Sequence, residues 1–71
     1  MPRRARPKRE ELVVRENEVE HLPTGATWLA YPGRPEPSHF RPSALGSVLP
    51  NGDDYGEDEV TVMALQLLAD R

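Results

Sequence analysis

Residues 57–70 read Glu-Asp-Glu-Val-Thr-Val-Met-Ala-Leu-Gln-Leu-Leu-Ala-Asp. Three acidic residues at the start suit the positive end of a helix dipole, and Asp54 with Glu57 three positions later matches a capping box. At about 100° per residue, one helical face is apolar throughout. That face consists of Val60, Met63, Ala64, Leu67 and Leu68. The stretch therefore predicts a helix, with a strand as the alternative because Val-Thr-Val favours β structure.

This helix carries more apolar residues than one face can hold. A helix that is apolar around most of its girth is normally buried on more than one side. A chain of 71 residues with one hairpin covers one side, so the second side predicts a partner, most simply a second copy of the chain. The predicted interface residues are Val62, Leu65, Leu68 and Ala69. The alternative is that the loop carrying Phe40, with residues 43–49, covers this flank within one chain.

Residues 26–31, Ala-Thr-Trp-Leu-Ala-Tyr, have the composition of a strand and are bounded by Gly25 and Pro32. Both faces of this strand are apolar, which predicts a central position in a sheet. Trp28 is the expected anchor of the core, because it is the largest apolar side chain available.

Residues 11–22 allow two interpretations. Leu12-Val13-Val14 and the alternation of Glu and Val around Val19 favour extended structure, whereas the spacing of Leu12, Val19 and Leu22 also permits a helix. We prefer extended structure with Asn17 near a turn. The natural partner of this segment is then 26–31, in a hairpin that closes around residues 23–25.

Four prolines in residues 32–42 predict a stiff loop without regular structure, from which Phe40 packs onto the core. Residues 43–49 fit a short strand or a helical turn, and residues 50–53 fit a turn. The resulting fold class is α+β: a small antiparallel hairpin or sheet with one C-terminal helix packed on it. Residues 11–71 are expected to form this single domain, preceded by a disordered basic arm over residues 1–10.

The expected arm is defined by charge. Residues 1–9 carry five cations and no acid, whereas residues 10–71 hold all 12 acids and four cations. Prolines and mutual repulsion predict an unstructured segment, and a phosphate backbone is the usual target of such a segment. The predicted nucleic-acid contacts are Arg3, Arg4, Arg6, Lys8 and Arg9. The alternative is a solvated tail, or one that folds back on the acidic body.

Four residues of the arm, Arg4-Ala5-Arg6-Pro7, resemble the Arg-Gly-Arg-Pro core of an AT-hook. The resemblance implies contact with the minor groove of A·T-rich DNA. The central glycine of that element is Ala5 here, and its methyl group would interfere with the close approach of the backbone to the groove floor.

Length and composition exclude several classes of protein. The chain of 71 residues has no cysteine, which removes disulfide scaffolds, thiolate zinc sites and thiol nucleophiles. No apolar run approaches about 18 residues, so neither a transmembrane span nor another membrane role is expected. Eight arginines against one lysine fit a GC-rich, bacterial-like coding sequence. A cytoplasmic location is the default expectation.

The sequence contains no pattern typical of catalytic, cofactor-binding or metal-ligating residues. The acidic stretch 51–59 fails as a calcium loop, because Val62 stands where a bidentate Glu is needed. His21 and His39 lack a clear third zinc ligand. We therefore expect a non-enzymatic accessory protein, with no small-molecule substrate, that acts by protein–protein contact as a homodimer through its C-terminal helix. The alternative is a nucleic-acid-associated protein that uses the arm.

Overall fold

The computed structural model describes residues 3–34 and 36–70. Within them the elements, in chain order, are β1 (Arg3–Ala5), a 3-10 turn (Arg9–Glu11), β2 (Leu12–Arg15), β3 (Glu18–His21), β4 (Ala26–Ala30), β5 (Pro37–Arg41), β6 (Asp53–Tyr55) and α1 (Glu57–Asp70). The predicted α+β class, an antiparallel sheet with one C-terminal helix, is confirmed. Among the described residues, no helix has the length and hydropathy needed to cross a membrane.

The main sheet is an antiparallel meander in the order β2-β3-β4-β5. The turn between β2 and β3 contains Asn17 in the left-handed region at φ 62°, and Gly25, at φ 76°, precedes β4. Asparagine and glycine tolerate this conformation better than other residues, which explains where the two hairpins reverse. The extended interpretation is confirmed for Leu12–Arg15 and Glu18–His21, whereas Glu11 lies in the 3-10 turn. The hairpin around residues 23–25 and the central position of β4 are also confirmed.

The core lies between α1 and one face of this sheet. Val60, Ala64 and Leu68 are four residues apart and fully buried on α1. The sheet contributes Leu12, Val19, Ala26, Trp28 and Ala30. Trp28 is 2% exposed, which confirms it as an anchor of the core.

The prediction that residues 32–42 lack regular structure is wrong for Pro37–Arg41, which form β5 and pair with β4. An edge strand is paired on one side only, so it tolerates a proline at its first position. Phe40 stacks on Trp28 with 5.1 Å between ring centroids, but 42% of Phe40 remains exposed. Residues 43–46 form a turn rather than a strand.

The structure also differs from the expected disorder of residues 1–10. Arg3–Ala5 form β1, which runs parallel to β6, and a 3-10 turn follows at Arg9–Glu11. The physical reason is charge pairing: Arg3 lies 3.0 Å from the Asp53 carboxylate. Repulsion within the arm is therefore relieved by acids from the other end of the chain. Residues 1 and 2 of the expected arm, and residues 35 and 71 of the expected domain, lie outside the described residues.

The helix occupies the predicted range, Glu57–Asp70, but begins differently from the prediction. Asp54 lies in β6 and not at the helix cap. Gly56 precedes the helix, and its carbonyl accepts the first helical bond from the Val60 N–H at 3.1 Å. A Cβ atom at Gly56 would lie 2.9 Å from a Glu59 carboxylate oxygen and 3.0 Å from the Arg4 guanidinium. Glycine thus leaves room for the ion pair that holds β1 against α1.

Candidate functional site

The outer side of α1 carries accessible apolar side chains beside residues 6–9. Val62 is 71% exposed in the middle of the helix, whereas Met63 and Leu67 are partly buried beside it. Residues 6–9 run along the helix and leave two adjoining hollows of about 430 and 410 Å³. We call this surface the α1 groove and define it by the residues that line the two hollows: Arg6, Pro7, Arg9, Asp58, Glu59, Val62, Met63, Gln66 and Leu67.

The wall of the α1 groove that residues 6–9 form is positively charged. The Arg4 guanidinium lies 2.7 Å from the Glu59 carboxylate, which fixes the start of this wall against the helix. The Arg9 guanidinium donates to the Leu12 carbonyl at 2.9 Å, which fixes its end. Within the described part of the chain, no carboxylate forms an ion pair with Arg6 or Arg9. The groove therefore combines an apolar floor with two cations that lack an acidic partner.

The four predicted interface residues do not share one surface. Val62 lies in the groove and Ala69 is exposed on the same side of the helix, whereas Leu65 is partly buried against the core. Leu68 is 1% exposed and belongs to the core of its own chain, so its assignment to the interface is corrected. At about 100° per residue, Leu68 stands roughly 120° from Val62 and joins the buried row instead.

Sequence reasoning missed the other residues of the groove. Met63 and Leu67 are on the predicted core face, but they lie at its margin and remain partly exposed. Arg6 and Arg9 could not be placed there because the path of residues 6–9 along α1 depends on the pairing of β1 with β6. The block of five cations in residues 1–9 was the available signal.

The residues predicted to contact nucleic acid fall into two groups. Arg3 and Arg4 form ion pairs with acids of the body, which is the folded-back arrangement given above as the alternative. Arg6, Lys8 and Arg9 are exposed. Nucleic-acid binding itself stays a prediction.

A second feature, which the sequence did not reveal, is a polar cluster of Glu11, His21, Thr24 and Tyr55, called here the Glu11 cluster. His21 is fully buried, with Nδ1 2.7 Å from the Thr24 hydroxyl and Nε2 3.8 Å from a Glu11 carboxylate oxygen. The Tyr55 hydroxyl donates to Glu11 at 2.6 Å, and the Tyr55 ring meets the His21 ring edge-on at 4.7 Å. The cluster links the 3-10 turn, β3 and β6.

The protonation states of the Glu11 cluster follow from burial and hydrogen bonding. Burial lowers the pKa of His21 more than the nearby Glu11 raises it. Burial also tends to raise the pKa of Glu11, but the bond from Tyr55, the Lys8 N–H and nearby cationic groups bring that pKa below its ordinary value. Burial and the Glu11 carboxylate raise the pKa of Tyr55 to about 12. At neutral pH the cluster therefore holds a neutral imidazole, a carboxylate and a phenol.

The Glu11 cluster acts as an internal brace in this conformation. The His21 ring has no exposed surface, so a substrate cannot reach it. Among the described residues its Nε2 has no hydrogen-bond partner, so the polar bonding of the imidazole is confined to the Nδ1 contact with Thr24. Among the described residues, no group of three histidine or acidic side chains is arranged to hold a metal ion.

Comparison of the chain with protein-family models, curated proteins and solved structures finds no match. The α1 groove is the candidate site that best joins exposure, apolar character and unpaired charge.

Proposed function

We propose that this chain is a cytoplasmic, non-enzymatic accessory protein that acts by protein–protein contact and associates with a second copy through the α1 groove. The observation that carries the proposal is the 71% exposure of Val62 between two cations, Arg6 and Arg9. A valine in the middle of a helix, next to half-buried apolar neighbours, loses contact with water when a second apolar surface covers it.

The apolar contribution to this association is modest and is made twice in a symmetric dimer. Full burial of a Val, Leu or Met side chain is worth about 1.5–3 kcal/mol relative to full exposure. Val62 starts 71% exposed and supplies the largest share, roughly 1–2 kcal/mol per protomer. Met63 and Leu67 start half-buried and add less. The sum suits a weak association, in which the fraction of dimer depends on protein concentration.

Charge complementarity supports a second copy as the occupant. If two α1 helices pair antiparallel about a twofold axis at Val62, Asp58 of one protomer lies opposite Gln66 of its partner. Gln66 and Arg9 line the same hollow of the groove, so Asp58 approaches the cation that lacks an acidic partner in its own chain. The twofold axis repeats this contact, as an isologous interface requires.

The proposal is tested by the solution mass of the full chain over a concentration series. We expect a mass twice the 8.0 kDa of the monomer, and a return to monomer for Val62→Asp. The matched control is Val48→Asp, because Val48 is 51% exposed and lies in a loop outside the groove. Circular dichroism checks that both variants remain folded. A monomer up to about 1 mM, corresponding to less than about 4 kcal/mol of association, contradicts the proposal.

A charge exchange tests the orientation of the two helices. Asp58→Arg places two cations at each end of the interface, so we expect a weaker dimer that added salt partly restores. Combining it with Arg9→Glu re-creates opposite charges and should recover association. Equal weakening in the single and double variants argues against the antiparallel arrangement.

The alternative function, binding of a phosphate backbone, is supported by the exposure of Arg6, Lys8 and Arg9. Three phosphate contacts give a log–log salt slope of about −2.7 for duplex DNA. Replacing the three residues by Glu should abolish this binding while the ion pairs of Arg3 and Arg4 remain. A slope that does not change in the triple variant removes the alternative.

A further inference from the structure

The outer edge of β5 is a second surface that the proposed self-association does not use. Among the described strands, β4 alone pairs with β5, and every residue of Pro37–Arg41 is exposed. An edge strand directs the N–H and C=O groups of alternate residues outward, where another strand can pair with them. Pro37 lacks an N–H and the pairing with β4 is irregular at Ser38, so the regular part of the edge is short and comprises His39, Phe40 and Arg41.

The two faces of this edge differ in chemistry. On the face that packs against α1, Phe40 stacks on the buried Trp28 and leaves 42% of its own surface open. On the opposite face, Arg41 follows His39 two positions later. Arg41 lies beside Thr27 in the sheet and forms no ion pair with a carboxylate of the described residues. One face of the edge is therefore aromatic and the other cationic.

We propose that the β5 edge binds an extended peptide segment of another protein, in which apolar and acidic residues alternate. The segment adds a fifth strand to the meander. Its apolar side chains cover Phe40, and its acidic side chains face Arg41. Strand addition supplies affinity through main-chain hydrogen bonds, while the alternation of side chains supplies specificity. This surface is separate from the α1 groove, so the inference does not depend on self-association.

A second copy of the chain fits the β5 edge less well than such a peptide. In an antiparallel pair of β5 strands centred on His39, Phe40 lies opposite the partner's Ser38 and Arg41 opposite the partner's Pro37. In this arrangement Phe40 meets no apolar side chain of the partner strand, and Arg41 meets no carboxylate. Charge complementarity therefore favours an acidic segment from a different protein.

The experiment titrates the full, isotope-labelled chain with the peptide acetyl-Glu-Val-Glu-Val-Glu-Val-amide and follows backbone amides by NMR. The matched probe replaces each Glu by Lys. We expect shifts confined to β5 and β4 with the acidic peptide and much weaker binding of the basic one. Arg41→Glu should lower affinity for the acidic peptide about tenfold, because an attraction between strands becomes a repulsion, and should reverse the preference between the probes.

Two control variants separate this inference from other causes. Lys8→Glu makes the same change of charge away from β5 and should bind the acidic peptide like the wild type. Val62→Asp removes the proposed self-association and should also leave peptide binding unchanged. The inference is overturned if neither probe binds at about millimolar concentration, corresponding to about 4 kcal/mol, or if the shifts fall in the α1 groove. Equal affinity in Arg41→Glu, or shifts at β5 that depend on protein concentration without peptide, overturns it as well.

Discussion

Replacing Tyr55 by Phe tests whether the Glu11 cluster braces the fold. Tyr55 is 6% exposed, and its hydroxyl is 2.6 Å from the Glu11 carboxylate. The substitution keeps the ring and its edge-on contact with His21, so the loss is confined to one hydrogen bond. Because β6 and the 3-10 turn are 44 positions apart in sequence, this bond ties distant parts of the chain.

The expected loss of stability follows from the type of bond. A hydrogen bond to a charged group contributes about 1.5–3 kcal/mol, and Glu11 is partly exposed, which allows water to replace some of the lost bonding. We therefore expect Tyr55→Phe to lower the free energy of unfolding by about 2 kcal/mol. For a chain of this size, that corresponds to a fall in Tm of about 8–16 °C.

The assay is urea unfolding followed by the fluorescence of Trp28, which is buried in the core. Ser47→Ala is the control for the loss of an exposed hydroxyl: Ser47 is exposed in a loop, so its substitution should change stability by less than about 0.5 kcal/mol. Glu11→Gln and the double variant complete a cycle, in which a shared bond makes the two losses less than additive. Additive losses, or a Tyr55→Phe variant as stable as the Ser47→Ala control, refute the bracing role.

Three further predictions concern other parts of the fold. Stability should fall as pH drops below 6.5, because burial lowers the pKa of His21 in the folded state and the unfolded chain takes up the proton first. A second loss of stability should begin near pH 4.5, since the pKa of Glu11 is also lower in the folded state. The midpoints of urea unfolding measured across pH report both losses. Leu68→Ala should cost about 2–5 kcal/mol of monomer stability and Val62→Ala less than about 0.5 kcal/mol, as thermal unfolding at low concentration can measure. Asn17→Val should cost about 1–2 kcal/mol in the same assay, because a β-branched residue resists the positive φ of 62°.

The parts of the fold that depend on neighbouring residues could be predicted from the sequence. The helix Glu57–Asp70 could be predicted because its N-terminal acids, the spacing of its apolar residues and its length all favour a helix. The two hairpins could be predicted because Asn17 and Gly25 mark chain reversals between segments of β-favouring residues. Trp28 could be assigned to the core because its strand is apolar on both faces, although Leu29 on the other face is 41% exposed.

The parts that could not be predicted depend on contacts between distant residues. β1 forms because Asp53 and Glu59 neutralise Arg3 and Arg4, and local charge repulsion gives the opposite expectation. β5 forms because β4 offers a free edge for pairing. The proline content of residues 32–42, which predicted a loop, carries no information about that edge. The same applies to the Glu11 cluster, whose members come from separate elements.

Only part of the candidate site could be predicted, because its other residues are also placed by contacts between distant parts of the chain. Val62 could be predicted as an interface residue because α1 is apolar around most of its circumference. Leu68 was predicted both on the core face and in the interface, and it lies in the core. The sequence does not state the angle at which α1 lies on the sheet, and that angle decides which flank residues remain open. Arg6 and Arg9 belong to the groove only because β1 is anchored.

The parallel pairing of β1 with β6 has a consequence for the order of folding. Residues 3–5 are synthesised before residues 53–55 and have no strand partner until those residues are made, whereas each strand of the meander pairs with its neighbour in sequence. Closing a long loop costs more entropy than closing a hairpin, so we expect the meander to form before the N-terminus docks. β1 is then expected to be among the last elements to reach its native place, although it is synthesised before β6.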